Sequence, residues 1–148
     1  MLTDGAIQRL LALLDSYVQQ LETYRGRTID ELRQQVGLAW AVEHGLQLSI
    51  QCVIDVCQYL VAELQLTTPA TAQEAVESLR DQGVFAAELA DTLVRMIRFR
   101  NIMVHVYARL DLQRVHDCLQ TGLPDFAEFA RQVQDFVARQ SASEPDTE

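Results

Sequence analysis

Apolar residues recur every three or four positions along most of this chain, the spacing that gathers them on one face of an α-helix. The first such stripe spans residues 4–24 and ends at an RGRT segment. A second stripe, which includes Val36 and Trp40, runs from Thr28 to about residue 64, before the proline of a TTP segment. Uninterrupted, this second helix is about 54 Å long. It therefore either bends or extends one end beyond a single core toward a partner chain.

Local signals mark the ends of the shorter helices. T-x-x-E capping boxes at Thr28 and Thr71 each open a helix, because threonine and glutamate satisfy backbone N–H groups of the first turn. The helix that begins after Thr71 is predicted to end near Gln82, with Gly83 in the position of a C-terminal cap.

The rest of the chain is predicted to hold three more helices. A central helix begins at Ala87 and ends at residues 108–110. Asp111 caps a short helix that Gly122 ends, and Pro124 suits the first turn of a last helix with a phenylalanine-rich apolar stripe.

These elements predict an all-α fold, an up-and-down helical bundle with four main helices and short extra helices. The sequence contains no strand pattern, internal repeat or glycine-rich phosphate loop. At 148 residues the chain is long enough for one domain, which we expect over residues 1–140. Residues 141–148 form an acidic tail without a large apolar side chain and are predicted to be disordered.

Charge narrows the possible functions. The net charge of −9 at pH 7 argues against broad, non-specific binding of nucleic acid. The charge is uneven, because residues 95–114 contain five arginines and one acid and are locally +4. Every basic residue in the chain is arginine, the side chain that makes bidentate contacts to phosphate.

Neither a membrane span nor a metal site is expected. No apolar run reaches the ~18 residues that a span needs, and the N-terminus lacks the basic region of a signal peptide. Cys52, Cys57 and Cys118 lie in apolar helical patterns without a C-x-x-C pair, which indicates reduced core thiols. The expected location is the cytoplasm, and no cofactor is expected.

The segment from Arg95 to Asp111 holds the candidate chemistry. Arg100 lies on the apolar stripe of the central helix, where a guanidinium without an anionic partner is costly. At about 100° per residue, Tyr107 lies on nearly the same face as Arg100, whereas His105 points about 140° away. Either the helix is broken between Asn101 and His105, or the two residues meet across the groove of a symmetric dimer. We favour the dimer.

Other polar residues have plainer interpretations. A row on the second helix recurs every four residues: Glu43, Gln47, Gln51 and Asp55. It is either a solvated face, the more frequent role of such a row, or the lining of a cleft. The structural alternative for the candidate site is that Arg100 pairs with a buried acid such as Asp55 and that His105 is a core histidine. His44 is expected at the surface, and His116 is expected to be structural.

Arg100, four intervening residues, His105, one residue and Tyr107 give the pattern R-x4-H-x-Y within the string RNIMVHVYARLD. With the polar Asn101 directly after the arginine, this segment resembles the HepT-like proteins of the HEPN superfamily. The similarity covers roughly residues 2–140.

The resemblance implies the toxin component of a HepT/MntA-type toxin–antitoxin module, acting as a metal-independent endoribonuclease. It implies that Arg100 and His105 are catalytic and that Asn101 supports them. Such chemistry suits these side chains, since histidine moves protons near neutral pH and arginine holds the phosphate and its developing charge. The antitoxin implied is an MntA-like minimal nucleotidyltransferase, which silences the toxin by transferring AMP to Tyr107.

The expected partners are a second copy of the chain in a homodimer, the nucleotidyltransferase and an RNA substrate. The rival function is a non-catalytic HEPN binding subunit that docks a nucleotidyltransferase and presents a substrate or nucleotide to it.

Overall fold

The computed structural model describes residues 5–105 and 111–143, without the side chains of Val104 and His105. The helices of this part of the chain are α1 (Ala6–Glu22), α2 (Ile29–Gln34), α3 (Val36–Glu63), α4 (Ala72–Asp81), α5 (Ala87–His105), α6 (Leu112–Asp117) and α7 (Leu123–Ser143), with a π-helical turn at Cys118–Gly122. The long helices α1, α3, α5 and α7 form the bundle, and α2, α4 and α6 are short. The predicted all-α fold with four main helices is confirmed.

The central helix of the core is α3. It packs against α1, α4 and α5, and its buried residues extend from Ala39 to Val61. Helix α1 approaches α3 closely at Gly45, where an added Cβ would lie 2.7 Å from Cδ2 of Leu21. Because Gly45 has no side chain, Leu21 packs directly against the backbone of α3.

The predicted second helix is two helices, which corrects the expectation of one continuous element. Gln35 takes an extended conformation, with φ −115° and ψ 91°, and separates α2 from α3. The capping box of Thr28 and Glu31 is present as predicted at the N-terminus of α2. Helix α2 packs against α3 and α6 and buries Leu32, a contact that a straight extension of α3 would not allow.

The N-terminal end of α3 exposes two of its apolar side chains. Val36 and Trp40 are 57% and 68% exposed, so they do not belong to the buried stripe in which the sequence placed them. The predicted alternatives were a bend and an end offered to a partner chain. The break at Gln35 confirms the first, whereas the contact with a partner stays a prediction. Ala39 and Val42, on either side of Trp40, are buried, so this end of α3 still belongs to the core.

Helix α3 is also more apolar than expected from the sequence, in which no apolar run reaches the length of a membrane span. An 18-residue window within it has a mean hydropathy of 1.3, so by length and composition it is able to cross a membrane. Within the bundle, 56% of that window is buried in the protein, which is the behaviour of a core helix.

Gly122 does not end a helix, contrary to expectation. Helix α6 leads through the π-helical turn directly into α7. Pro124 has no N–H to donate to the Gln120 carbonyl, and this carbonyl instead accepts a hydrogen bond from Arg25 Nη2 at 3.1 Å. Gln120 Nε2 donates in return to the Arg25 carbonyl at 2.6 Å. This contact with the turn after α1 satisfies the backbone where the proline interrupts the α-helical pattern.

The other predicted caps are present, although the box at Thr71 is only half formed, because Glu74 Oε2 accepts its hydrogen bond from the Ala70 N–H at 2.8 Å. Thr71 Oγ1 accepts a hydrogen bond from the Glu74 N–H at 3.1 Å, and the Asp111 carboxylate accepts one from the Gln113 N–H at 3.0 Å. Gly83, with φ +82°, follows the C-terminus of α4. The predicted end of the central helix at residues 108–110 lies outside the described residues. The predicted domain limit at residue 140 stays a prediction.

Candidate functional site

Arg100 is half-buried on the core side of α5. It follows the buried residues Leu93 and Met96 on that helix and lies opposite α3. Arg100 Nη2 donates a hydrogen bond to Gln51 Oε1 at 2.6 Å, and Arg100 Nη1 donates to Asn101 Oδ1 at 3.4 Å. The predicted interruption of the apolar stripe is therefore an arginine held between α3 and α5.

A chain of hydrogen bonds leads from Arg100 to a carboxylate. Gln51 Nε2 donates to Asp55 Oδ1 at 2.8 Å, one turn further along α3. The structural alternative, a direct ion pair of Arg100 with Asp55, is not what the structure shows, because Gln51 stands between them. Across residues 5–105 and 111–143, Arg100 forms no ion pair.

The guanidinium is under-satisfied. Arg100 Nε is buried and has no hydrogen-bond partner in the part of the chain that the structure describes. A neutral amide as the partner on α3 leaves the positive charge uncompensated, and a buried donor without an acceptor costs about 1–3 kcal/mol. Because the side chain is only half-buried, an anion that approaches the guanidinium from solvent would compensate its charge, as phosphate does for arginine.

The polar row of α3 lies at the boundary of the core. Glu43, Gln47, Gln51 and Asp55 are all half-buried, so the row is not a fully solvated face. Burial raises the pKa of the Glu43 carboxyl above its ordinary value. The two members nearest the C-terminus of the helix, Gln51 and Asp55, carry the hydrogen bonds that reach Arg100.

Helix α5 is continuous through the described part of the motif, from Arg100 to His105. It is helical from Ala87 to His105, so the backbone is not broken between Asn101 and His105. Asn101 is exposed and accepts a hydrogen bond from Arg100, and its supporting role stays a prediction. The side chain of His105 and the whole of Tyr107 lie outside the described residues, so their predicted roles stay predictions.

The other histidines have the roles expected of them. His44 is exposed on α3. His116 Nε2 lies 3.0 Å from the Arg27 carbonyl oxygen and joins α6 to the turn before α2.

The cysteines are free thiols, as predicted. Burial raises the pKa of Cys52 and of Cys118 to about 11 and raises that of Cys57 still further. These thiols are protonated and unreactive at neutral pH. Among the described residues, no group of three His, Cys, Asp or Glu side chains is placed to hold a metal ion.

Sequence reasoning missed a groove beside the motif. It lies between α5 and the path from α6 into α7, with a volume of about 560 Å³. Arg95, Arg98 and Arg114 line it, and the local excess of arginines was its signal in the sequence. The periodicity of apolar residues describes one helix at a time, so it could not reveal a groove whose two walls come from different helices.

The comparisons with known proteins agree on one family. A family model described as ribonuclease HepT-like matches residues 14–133. The chain is 29% identical over 99 residues to the mRNA nuclease HepT of Shewanella oneidensis, covering 67% of this chain and 74% of that protein. It is 24% identical over 131 residues to the tRNA nuclease HepT of Aphanizomenon flos-aquae, covering 88% and 89%.

Solved structures share the fold. A tri-AMPylated Shewanella oneidensis HEPN toxin, in complex with its MNT antitoxin, superposes with a TM-score of 0.82 at 23% identity, covering 90% of this chain and 99% of that one. YutE, a cytosolic protein of unknown function from Bacillus subtilis, superposes with a TM-score of 0.79 at 15% identity, covering 92% and 91%.

Proposed function

Since this chain belongs to the HepT-like ribonuclease family, we propose that it is the toxin of a toxin–antitoxin module and cleaves RNA without a metal ion. The observation that carries the proposal is the half-buried Arg100 guanidinium, held by a neutral glutamine and left with an unsatisfied donor. A phosphate is a ligand that would compensate the charge of this guanidinium. The names of two relatives, an mRNA nuclease and a tRNA nuclease, support RNA as the substrate.

The proposed reaction uses the neighbouring 2′-hydroxyl of the RNA as the nucleophile. His105 removes the proton of this hydroxyl, and the hydroxyl oxygen bonds to phosphorus. The bond from phosphorus to the 5′-oxygen breaks as that oxygen takes a proton from water, which leaves a 2′,3′-cyclic phosphate. Arg100 holds the phosphate and stabilises the charge that develops on its oxygens. Asn101, which contacts Arg100 Nη1, orients the guanidinium.

We propose that the working unit is a homodimer. Helix α5 is continuous from Ala87 to His105, so Arg100 and His105 diverge by about 140° around its axis. One helix therefore does not present both positions to one phosphate. Two facing Arg100–Tyr107 segments in a shared groove would let each chain supply part of every site.

We propose that an MntA-like nucleotidyltransferase neutralises the toxin by transferring AMP to Tyr107. The support is the solved complex of a tri-AMPylated HEPN toxin with its MNT antitoxin, together with the matching position of Tyr107 in the motif. Each AMP adds a negative phosphodiester and a base near Arg100, where it competes with RNA by charge and by bulk. The proposed location is the cytoplasm.

The test of catalysis is RNA cleavage by the purified protein in the presence of EDTA. We expect His105→Ala and Arg100→Ala each to reduce cleavage at least a hundredfold, the order expected for losing a general base or a charge-stabilising group. Arg33→Ala, which removes an exposed and ion-paired arginine of α2, is the matched control and should retain full activity.

Thermal denaturation of the same variants, followed by circular dichroism, shows whether a loss of cleavage is caused by a loss of folding. If His105→Ala cleaves RNA at the normal rate, His105 is not catalytic; if it unfolds, His105 is a core residue. A wild-type protein that cleaves no RNA but still binds the nucleotidyltransferase would favour the non-catalytic binding subunit.

The test of neutralisation is co-expression with the nucleotidyltransferase. The mass of the chain should rise by whole AMP units, and peptide mass spectrometry should place them on Tyr107. Tyr107→Phe should stay toxic and unmodified, whereas the control Tyr24→Phe should be modified like the wild type. Equal modification of Tyr107→Phe would show that another residue is the acceptor.

A further inference from the structure

The groove between α5 and the path from α6 into α7 has no role in the site described above. Its volume of about 560 Å³ lies within the range of about 300–1,000 Å³ that ligand pockets occupy. Arg100 is not among the lining residues, since it contacts α3 through Gln51. The groove and the Arg100 site therefore lie on different sides of the same helix.

Three arginines line the groove, which gives it a net positive charge despite the two carboxylates that also line it. Arg95, Arg98 and Arg114 are exposed, and none of them forms an ion pair within residues 5–105 and 111–143. By contrast, an acid pairs with each of five arginines elsewhere in the described chain, namely Arg25, Arg27, Arg33, Arg80 and Arg131. The unpaired guanidiniums of the groove are available to an anionic ligand.

The groove also contains two carboxylates. Asp117 accepts a hydrogen bond from Gln113 Nε2 at 2.8 Å. Asp125 is half-buried near Arg95; burial raises its pKa, and the charge of Arg95 partly opposes that change. The arginines still outnumber the carboxylates, so the lining favours an anion over a cation.

The floor of the groove is apolar. Met96 is buried, Phe99 is half-buried and Ile102 is 40% exposed, and all three line the groove on the α5 side. An aromatic ring with aliphatic neighbours is a surface on which a nucleobase stacks, while guanidiniums beside it bind the phosphates of the same strand. This combination fits a nucleotide better than it fits an apolar helix, which would leave the arginines without partners.

We propose that this groove binds a nucleotide of single-stranded RNA next to the phosphate that is cleaved, with its base on Phe99 and its phosphates on Arg98 and Arg114. The inference rests on the proposed ribonuclease function and adds a second contact for the substrate. The backbone of α5 supports this inference. His105 follows Arg98 by seven residues and Ile102 by three, so the three positions lie on the same side of the helix. His105 is about 10.5 Å beyond Arg98 along the helix axis. A strand bound in the groove leads toward His105.

The experiment measures binding apart from cleavage. A short fluorescein-labelled 2′-O-methyl oligoribonucleotide, which has no nucleophilic hydroxyl, is titrated with the full chain at several salt concentrations. The double variant Arg98→Gln/Arg114→Gln should bind roughly tenfold more weakly, and its log K against log[salt] should be shallower by about 1.4, since each single-strand phosphate contact contributes about 0.7. The control Arg33→Gln/Arg131→Gln changes the net charge equally and should bind like the wild type.

The base contact has its own test. Phe99→Leu should weaken binding of the normal oligonucleotide roughly tenfold without changing the salt slope, because stacking involves no counterion release. Against an oligonucleotide with abasic positions, Phe99→Leu and the wild type should bind equally. Melting curves establish that each variant is folded, and Ile102→Ala provides a second floor variant if Phe99→Leu is not.

The outcomes separate this inference from the function on which it rests. If the arginine double variant binds the oligonucleotide with the affinity and salt slope of the wild type, the groove does not bind RNA and the inference is wrong, even if the wild-type protein cleaves RNA. If the double variant keeps RNA binding but loses the nucleotidyltransferase, the groove is a docking site for that protein and the inference is wrong. If the groove variants lose RNA binding while the wild type cleaves no RNA, the inference that the groove binds RNA holds and the ribonuclease proposal fails.

Discussion

At the scale of single residues, Gln51 is the partner that fixes Arg100 across the interface of α3 and α5. Gln51→Leu removes the acceptor and leaves the half-buried guanidinium without its hydrogen bond to α3. We expect RNA cleavage to fall roughly tenfold or more, since small displacements of a catalytic group have large effects on rate. Stability should fall by only about 1 kcal/mol. Steady-state cleavage kinetics and urea denaturation measure the two effects.

Two further variants distinguish positioning from a general effect on the fold. Gln51→Glu keeps an acceptor but adds a charge that competes with phosphate for Arg100, so it should raise KM more than it lowers kcat. Gln47→Leu makes the same change one turn earlier on the half-buried row of α3 and should leave cleavage intact. Equal losses in Gln47→Leu and Gln51→Leu would contradict a specific role for Gln51.

At the scale of the elements, the C-terminus of α3 contains a strained residue. Gln65 has φ +55°, a left-handed conformation that favours glycine, while the Leu66 N–H donates to the Val61 carbonyl at 3.0 Å and closes the helix end. Gln65→Gly should therefore increase the free energy of unfolding by about 1 kcal/mol. Urea denaturation followed by circular dichroism measures the change.

The matched control is Gln58→Gly, at an exposed position inside the same helix. There glycine should lower the free energy of unfolding by about 1 kcal/mol, because it loses helix propensity without relieving strain. If both variants are destabilised alike, the left-handed conformation of Gln65 is not what limits stability at this end of α3.

At the scale of the whole molecule, the proposed homodimer, whose two Arg100–Tyr107 segments face each other, predicts complementation between inactive chains. In a mixture of Arg100→Ala and His105→Ala protomers, a heterodimer whose sites combine Arg100 of one chain with His105 of the other has one intact site. With random pairing, half of the dimers are mixed and half of their sites are intact, so about a quarter of wild-type cleavage should return.

Light scattering provides the independent check, with an expected mass of twice 16.7 kDa. A monomer at micromolar concentration would contradict the homodimer. A dimer whose mixed variants stay inactive would show that both catalytic side chains of a site come from one chain.

The sequence by itself determined which segments are helical, where most of them begin, and that Arg100 interrupts an apolar face. These features depend on near neighbours: the three-and-four spacing of apolar residues, the threonine caps of α2 and α4, the aspartate cap of α6 and the glycine after α4. The family resemblance could also be recognised from the sequence, because its motif spans eight consecutive positions, from Arg100 to Tyr107. Each of these signals lies within two or three helical turns.

Only the tertiary structure decided what Arg100 contacts and which apolar residues are buried. Gln51 lies 49 positions from Arg100, and their hydrogen bond depends on how α5 packs on α3. Arg25 satisfies the Gln120 carbonyl across 95 positions, so the helical path continues where proline and glycine predict an end. Trp40 belongs to a correct helical stripe but is 68% exposed. In each case the outcome is decided by the angle and register at which helices meet, and periodicity along one helix carries no information about them.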